Sequence, residues 1–206
     1  MESNAEILWN LTQDFYERTG SEDRLSKLQL KDFLSPKAPH KEPPLFSPGN
    51  MSKCRRLVPF GVELANRFCD SSSARDKHRR IAFRDLHQIY AIMYEGGEFL
   101  SDEEVNHLRS SIDSFLAHQN WLQDEAAGRG IPEYNVTIKS HYLWHLGQDA
   151  YFYNPAMGWT YQDEDFMGRI ATLGRSVTNS TTDVQRPRFI LRKYMTAINT
   201  RWQALA

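Results

Sequence analysis

Apolar residues recur every three or four positions along most of this chain, with polar residues between them. Near the start, Ile7, Leu8, Leu11 and Phe15 share one helical face. Ser21, followed by Glu22 and Asp23, opens a second short helix through Leu25, Leu28 and Leu30. Residues 1–34 therefore read as N-terminal helices. The spacing resumes at Leu57, Phe60, Leu64 and Phe68. It is cleanest from Asp76 to Gly96, where Ile81, Leu86, Ile89, Tyr90 and Met93 form one face and Gly96-Gly97 stops the helix. Ser101 caps the next helix, and Asp102, Glu103 and Glu104 fill its first turn. That helix carries Val105, Leu108, Ile112, Phe115 and Leu116 and runs on through Trp121 and Leu122 to Ala127. A last helix spans residues 185–205, with Phe189, Ile190, Tyr194, Ile198 and Trp202 on one face.

Two stretches break the period. Residues 35–50 hold five of the nine prolines, so residues 35–52 read as an extended linker or a strap laid over the surface. Residues 134–139 (YNVTIK) alternate and are β-branched, which predicts a short strand. His141 to Gly147 returns to helix or turn, Tyr151 to Thr160 forms an aromatic loop turning at Asn154-Pro155, and Asp163 to Leu173 reads as a helix. The expected fold is mainly α: a multi-helix bundle-like domain over residues 53–206, with at most one or two short strands.

Composition allows such a core, with 40% hydrophobic and 12% aromatic residues in 206. Net charge is only -1, yet it is segregated. Residues 53–84 carry nine Lys/Arg against three Asp/Glu, residues 98–133 carry eight acids against two bases, and residues 169–201 are basic again. A basic face is thereby permitted. Cys54 and Cys69 form no CxxC pair, which argues against a zinc knuckle or a disulfide framework and suits a reducing compartment. No apolar run approaches the roughly 18–20 residues that a bilayer span needs. The expectation is a soluble, intracellular protein, cytoplasmic or nuclear, with no membrane partner.

Candidate chemistry concentrates between residues 135 and 174. His141 and His145 lie four apart, so on a helix they share a face as paired metal ligands do. Core or hydrogen-bonded histidines are nevertheless the preferred reading, and zinc is disfavoured, since no glutamate follows His141 as a zinc-hydrolase helix requires. Asp163, Glu164 and Asp165 read either as first-turn helix acids or as oxygen ligands for magnesium or manganese. Arg55, Arg56, Arg79, Arg80, Arg84, Lys139, Arg169 and Arg175 are candidate phosphate contacts, with a solvated charged face as the alternative. No GxSxG, P-loop or dinucleotide fingerprint is present.

The segment Thr137-Ile138-Lys139-Ser140-His141-Tyr142-Leu143-Trp144-His145-Leu146, followed by Asp163-Glu164-Asp165-Phe166-Met167-Gly168-Arg169, resembles the C-terminal part of cut-and-paste transposases with a ribonuclease-H-like core. In that family a K-x-H-x-x-x-H-L strand-to-helix segment precedes a helix bearing a glutamate, then an aromatic residue, Met and Gly. The resemblance implies that Glu164 is the last acidic member of a metal-binding catalytic set and that residues 53–127 are an inserted helical region. The strands that would supply the first two aspartates have no counterpart before residue 53. The resemblance thus implies a terminal fragment, split subunit or remnant.

Three functions follow as expectations. The first is a mobile-element or virus-derived helical protein that associates with DNA or RNA and is not catalytically self-sufficient. The second is a helical protein–protein interaction module that docks a partner through residues 35–52. The third is a divalent-metal-dependent nuclease-like enzyme performing phosphoryl transfer with Glu164 and its neighbours.

Overall fold

A computed structural model describes residues 3–21, 24, 25, 27, 51–158 and 185–203. Those residues are mainly helical and include no strand. One compact unit takes in residues 1–158 and a second takes in residues 159–206, so the N-terminal helix belongs with the helices that follow residue 51.

In the first unit, α1 (Asn4–Thr19) opens on a reciprocal cap. The Glu6 amide donates to Ser3 Oγ at 3.3 Å, and the Ser3 amide donates to Glu6 Oε2 at 2.8 Å. It closes at Gly20, whose φ of 61° suits a residue without a Cβ. Its inner face buries Thr12, Phe15 and Tyr16, and the Phe15 ring lies 5.2 Å from Phe60. Leu8, Leu11, Leu57 and Leu64 complete that cluster. The expected helix from Ser21 is not formed at Arg24, Leu25 or Lys27. There the Leu25 amide donates to the Tyr16 phenol at 3.1 Å instead of entering a helical ladder. Most of that expected helix, and residues 35–50 of the strap, lie outside the described residues.

Two short helices, α2 (Met51–Arg56) and α3 (Val58–Phe68), lead to the central pair, α4 (Ala74–Glu95) and α5 (Asp102–Gly128). The α4–α5 pair is an antiparallel hairpin: His78 meets His118 at one level and Asp85 meets Ser114 nearer the turn. Ser73 caps α4, and Ser101 with Glu104 forms a second reciprocal cap on α5. Ile89, Ile92 and Met93 from α4, and Val105, Leu108, Ile112 and Leu122 from α5, are buried. Each such side chain stabilises the fold by about 1.5–3 kcal/mol relative to exposure. α3 approaches α4 closely at Gly61, where a Cβ would lie 2.5 Å from the Phe83 ring.

Residues 134–139 are not a strand. Thr137 caps α6 (Ile138–Asp149), its hydroxyl accepting the Lys139 amide at 3.3 Å, so Ile138 and Lys139 are already helical. β-branched alternation gives way here because no neighbouring strand among the described residues offers a ladder. Thr137 meanwhile supplies the cap a helix start needs. Tyr134, at a left-handed φ of 55°, is held by Arg79 of α4. α6 packs on α5 through the buried Gly147 and through Arg109, which donates to Tyr151 Oη at 2.6 Å and to Gln148 Oε1 at 3.1 Å. A 3-10 turn, Pro155–Gly158, ends the unit.

The second unit contains α7 (Arg186–Gln203), which starts and ends within two residues of its expected limits. No helix among the described residues is long and apolar enough to cross a membrane.

Candidate functional site

The basic run divides by depth once α4 is in place. Arg79 faces inward to the segment before α6: it donates to the Tyr134 phenol and pairs with Asp76 at 3.0 Å and Glu133 at 3.7 Å. Arg80 donates from Nη2 to the Cys69 carbonyl at 2.7 Å and so fastens the α3–α4 connection. These two guanidiniums hold the fold together. Arg84 is different, because its side chain is 67% exposed while it pairs with Asp85 at 2.8 Å. Arg56 is exposed on α2, and the Arg55 guanidinium lies 4.7 Å above the Tyr94 ring. Lys139 is exposed on α6, on a different element, and Arg169 and Arg175 lie outside the described residues.

Around these, the outer arc of α4 presents Lys77, Phe83, Arg84, His87 and Tyr94, with Glu95 at its far end. Lys77 to Tyr94 spans about 26 Å along the helix. Phe68, at the end of α3, is 60% exposed with the Arg67 guanidinium 5.2 Å from its ring, and Tyr94 is 52% exposed beneath Arg55. Exposed rings paired with arginines offer flat stacking surfaces beside positive charge.

His141 and His145 do share a face of α6. Their Nε2 atoms stand 3.0 Å apart and their rings meet edge to face at 4.4 Å between centroids. Trp144 lies nearly parallel to His141, 6.5 Å away, and 5.1 Å from His145. Both histidines are exposed. Among the described residues no group of three or more His, Cys, Asp or Glu is placed to hold a metal ion. Asp163, Glu164 and Asp165 lie outside those residues.

Four features escaped the sequence reading. His78 stacks on Trp121 at 3.7 Å and meets His118 Nδ1 to Nδ1 at 2.8 Å across the α4–α5 seam. Burial, then the neighbouring His118, lowers the His78 pKa. Asp85, within the basic run of α4, is buried and accepts from Ser114 and Arg84. Asn154, only 2% exposed, donates to the carbonyls of Met93 at 2.9 Å, Gly96 at 3.3 Å and Gly97 at 2.9 Å. Arg109 ties α5 to the loop after α6. A polar residue inside a charged or aromatic run carries no periodic signal of its burial, so only the tertiary pairing reveals these. Burial raises the pKa of Cys54 and of Cys69, which disfavours their thiolate forms.

A second surface is apolar. Ile138, Tyr142 and Trp144 on α6, with Tyr151, Phe152, Tyr153 and Met157 just beyond, are all exposed. Gly147 is the one fully buried residue of α6.

No family model, no curated protein and no solved structure matches this chain.

Proposed function

We propose that this chain is a helical module that associates with nucleic acid, and with single strands in preference to duplex, through the outer face of α2, α3 and α4. The observation that carries the proposal is the pairing of exposed rings with guanidiniums, Phe68 with Arg67 and Tyr94 with Arg55, beside exposed Lys77 and Arg84. Cations neutralise phosphates, and an exposed ring stacks an unpaired base for about 1–3 kcal/mol. Duplex bases, already stacked on one another, gain nothing from the rings. The proposal does not extend to catalysis, since it uses neither the histidine pair nor Glu164.

The test is binding of a fluorescent single strand and of its duplex over a salt series. Substituting Lys77→Gln and Arg84→Gln together should lower the log–log salt slope by about 0.7 for each single-strand phosphate that is no longer neutralised. Phe68→Ser should weaken single-strand binding while leaving the slope unchanged. Absence of salt-dependent binding to either form overturns the proposal.

A second reading, a protein-interaction module, is favoured by the exposed aromatic surface of residues 138–157. It is recognised by association that survives high salt and is lost in Tyr142→Ser or Phe152→Ser.

A further inference from the structure

The nucleic-acid proposal leaves His141 and His145 unused, and their geometry is specific. Successive turns of α6 bring two Nε2 atoms to 3.0 Å, with both rings open to solvent. At that distance two neutral rings share one proton: one Nε2 donates it and the other accepts. A metal ion binds instead through both Nε2 lone pairs, and the displaced hydrogen settles on the Nδ1 of its own ring, which is the other neutral tautomer. No net proton is gained or lost by the pair.

The separation is close to what two nitrogens sharing one ion require. With metal–nitrogen bonds of about 2.0–2.1 Å, adjacent ligands of a square-planar ion lie about 2.9 Å apart, and those of a tetrahedral ion about 3.3 Å. The observed 3.0 Å falls near the square-planar value. Calcium and magnesium prefer oxygen ligands and are not suited to this pair. We propose that His141 and His145 form a two-nitrogen chelate on α6 for a late first-row divalent cation, copper(II) above nickel(II) or zinc(II). Solvent, or a group brought by a partner, fills the remaining coordination positions. The α6 helix supplies the preorganisation, since the i, i+4 spacing sets the two nitrogens before the ion arrives.

Trp144, 5.1 Å from His145 and nearly parallel to His141, reports occupancy. Copper(II) and nickel(II) bound between the two rings should quench its fluorescence. The experiment titrates the full chain separately with copper(II), nickel(II) and zinc(II), reading fluorescence for the first two and heat for all three. Copper should bind tightest, following the general order of divalent affinities. His141→Gln and His145→Gln should each weaken the tightest site at least about tenfold, the lower range seen for losing even an outer partner of a metal ligand. Trp144→Phe should abolish most of the quenching and keep the heat of binding. His78→Gln with His118→Gln should leave the tight site in place, which separates it from the other close histidine pair. Both α6 histidines are exposed, so circular dichroism of the variants should match the parent. Copper affinity unchanged in the His141→Gln/His145→Gln double variant, or a tightest site lost only when His78 and His118 are replaced, overturns the proposal.

Discussion

Arg79 and Tyr134 are separated by 55 residues and joined by a guanidinium-to-phenol hydrogen bond. The Arg79 Cζ also lies 5.5 Å from the Tyr134 ring centre, and Asp76 and Glu133 complete the cluster. This contact fixes the path of the chain from the end of α5 into α6. Arg79→Gln should therefore lower unfolding stability by about 1–3 kcal/mol, because it strips a charged donor from half-buried acceptors. Urea unfolding measures this, and the salt slope of nucleic-acid binding should not change. The opposite pair of results, parent stability with a flattened slope, would return Arg79 to the phosphate-contacting set.

Asn154 makes a sharper case. Its one amide nitrogen serves three carbonyls at the end of α4 and in the turn beyond, and its oxygen accepts the Ala156 amide at 3.0 Å. Asn154→Asp keeps size and shape but removes the donor and sets a carboxylate against those carbonyls. It should cost more than Asn154→Ala, which itself should cost about 1–3 kcal/mol for the polar groups left unpaired. Thermal melts that rank the two the other way would show that side-chain volume matters more than donation there.

Acid should loosen the α4–α5 seam. Burial and His118 depress the pKa of His78, so the native state resists taking a proton that the unfolded chain accepts near pH 6.5. Stability from this site is complete above that value and falls as pH drops below it, at no more than about 1.4 kcal/mol per pH unit for one proton. The carboxylates of Glu6, Glu104 and Asp70, held low by serine hydrogen bonds, lose their contributions only below their ordinary values of 4.5 and 3.8. The interval between pH 5 and 6.5 thus lies above those carboxylates and below the ordinary histidine value. Melting temperatures should decline across it in the parent and stay level in His78→Asn.

Gly147 sets the distance between α6 and α5. A Cβ there would sit 3.0 Å from Ile112 Cδ1, and Ile112 is itself buried, 1% exposed. Gly147→Val should cost about 1–3 kcal/mol by overpacking, despite removing a flexible residue from a helix interior. A more stable Gly147→Val protein would mean that α6 rides loosely on α5.

Where apolar residues repeat, the chain states its fold openly. Ile89 and Met93, Val105, Leu108 and Ile112 are legible as seam residues because the 3.6-residue period places them on one face, and Ser101 with Glu104 is legible as a cap because its spacing is local. Thr137 and Ile138 misled for the same reason: alternation over six residues carries no record of whether a partner strand exists. The candidate site was legible only in part. His141 and His145 share a face on spacing alone, but the division of the basic run into Arg79 and Arg80 inside and Arg84 outside depends on Tyr134 and Cys69. Neither is near the arginines in a way that periodicity encodes.

The Asn154 lock has a kinetic meaning as well. The α4–α5 hairpin closes over shorter separations, 29 residues at Asp85–Ser114 and 40 at His78–His118, whereas Asn154 reaches back across 61 residues to Met93. Contacts that close long loops come late, after local ones have already formed most of the structure. Loss of the Asn154 side chain should then act on the exit rather than the entry. Stopped-flow chevrons of Asn154→Ala should show a steeply faster unfolding limb over an almost unmoved folding limb. The residue behaves as a latch, thrown after the door has shut, and it governs how long the closed state lasts.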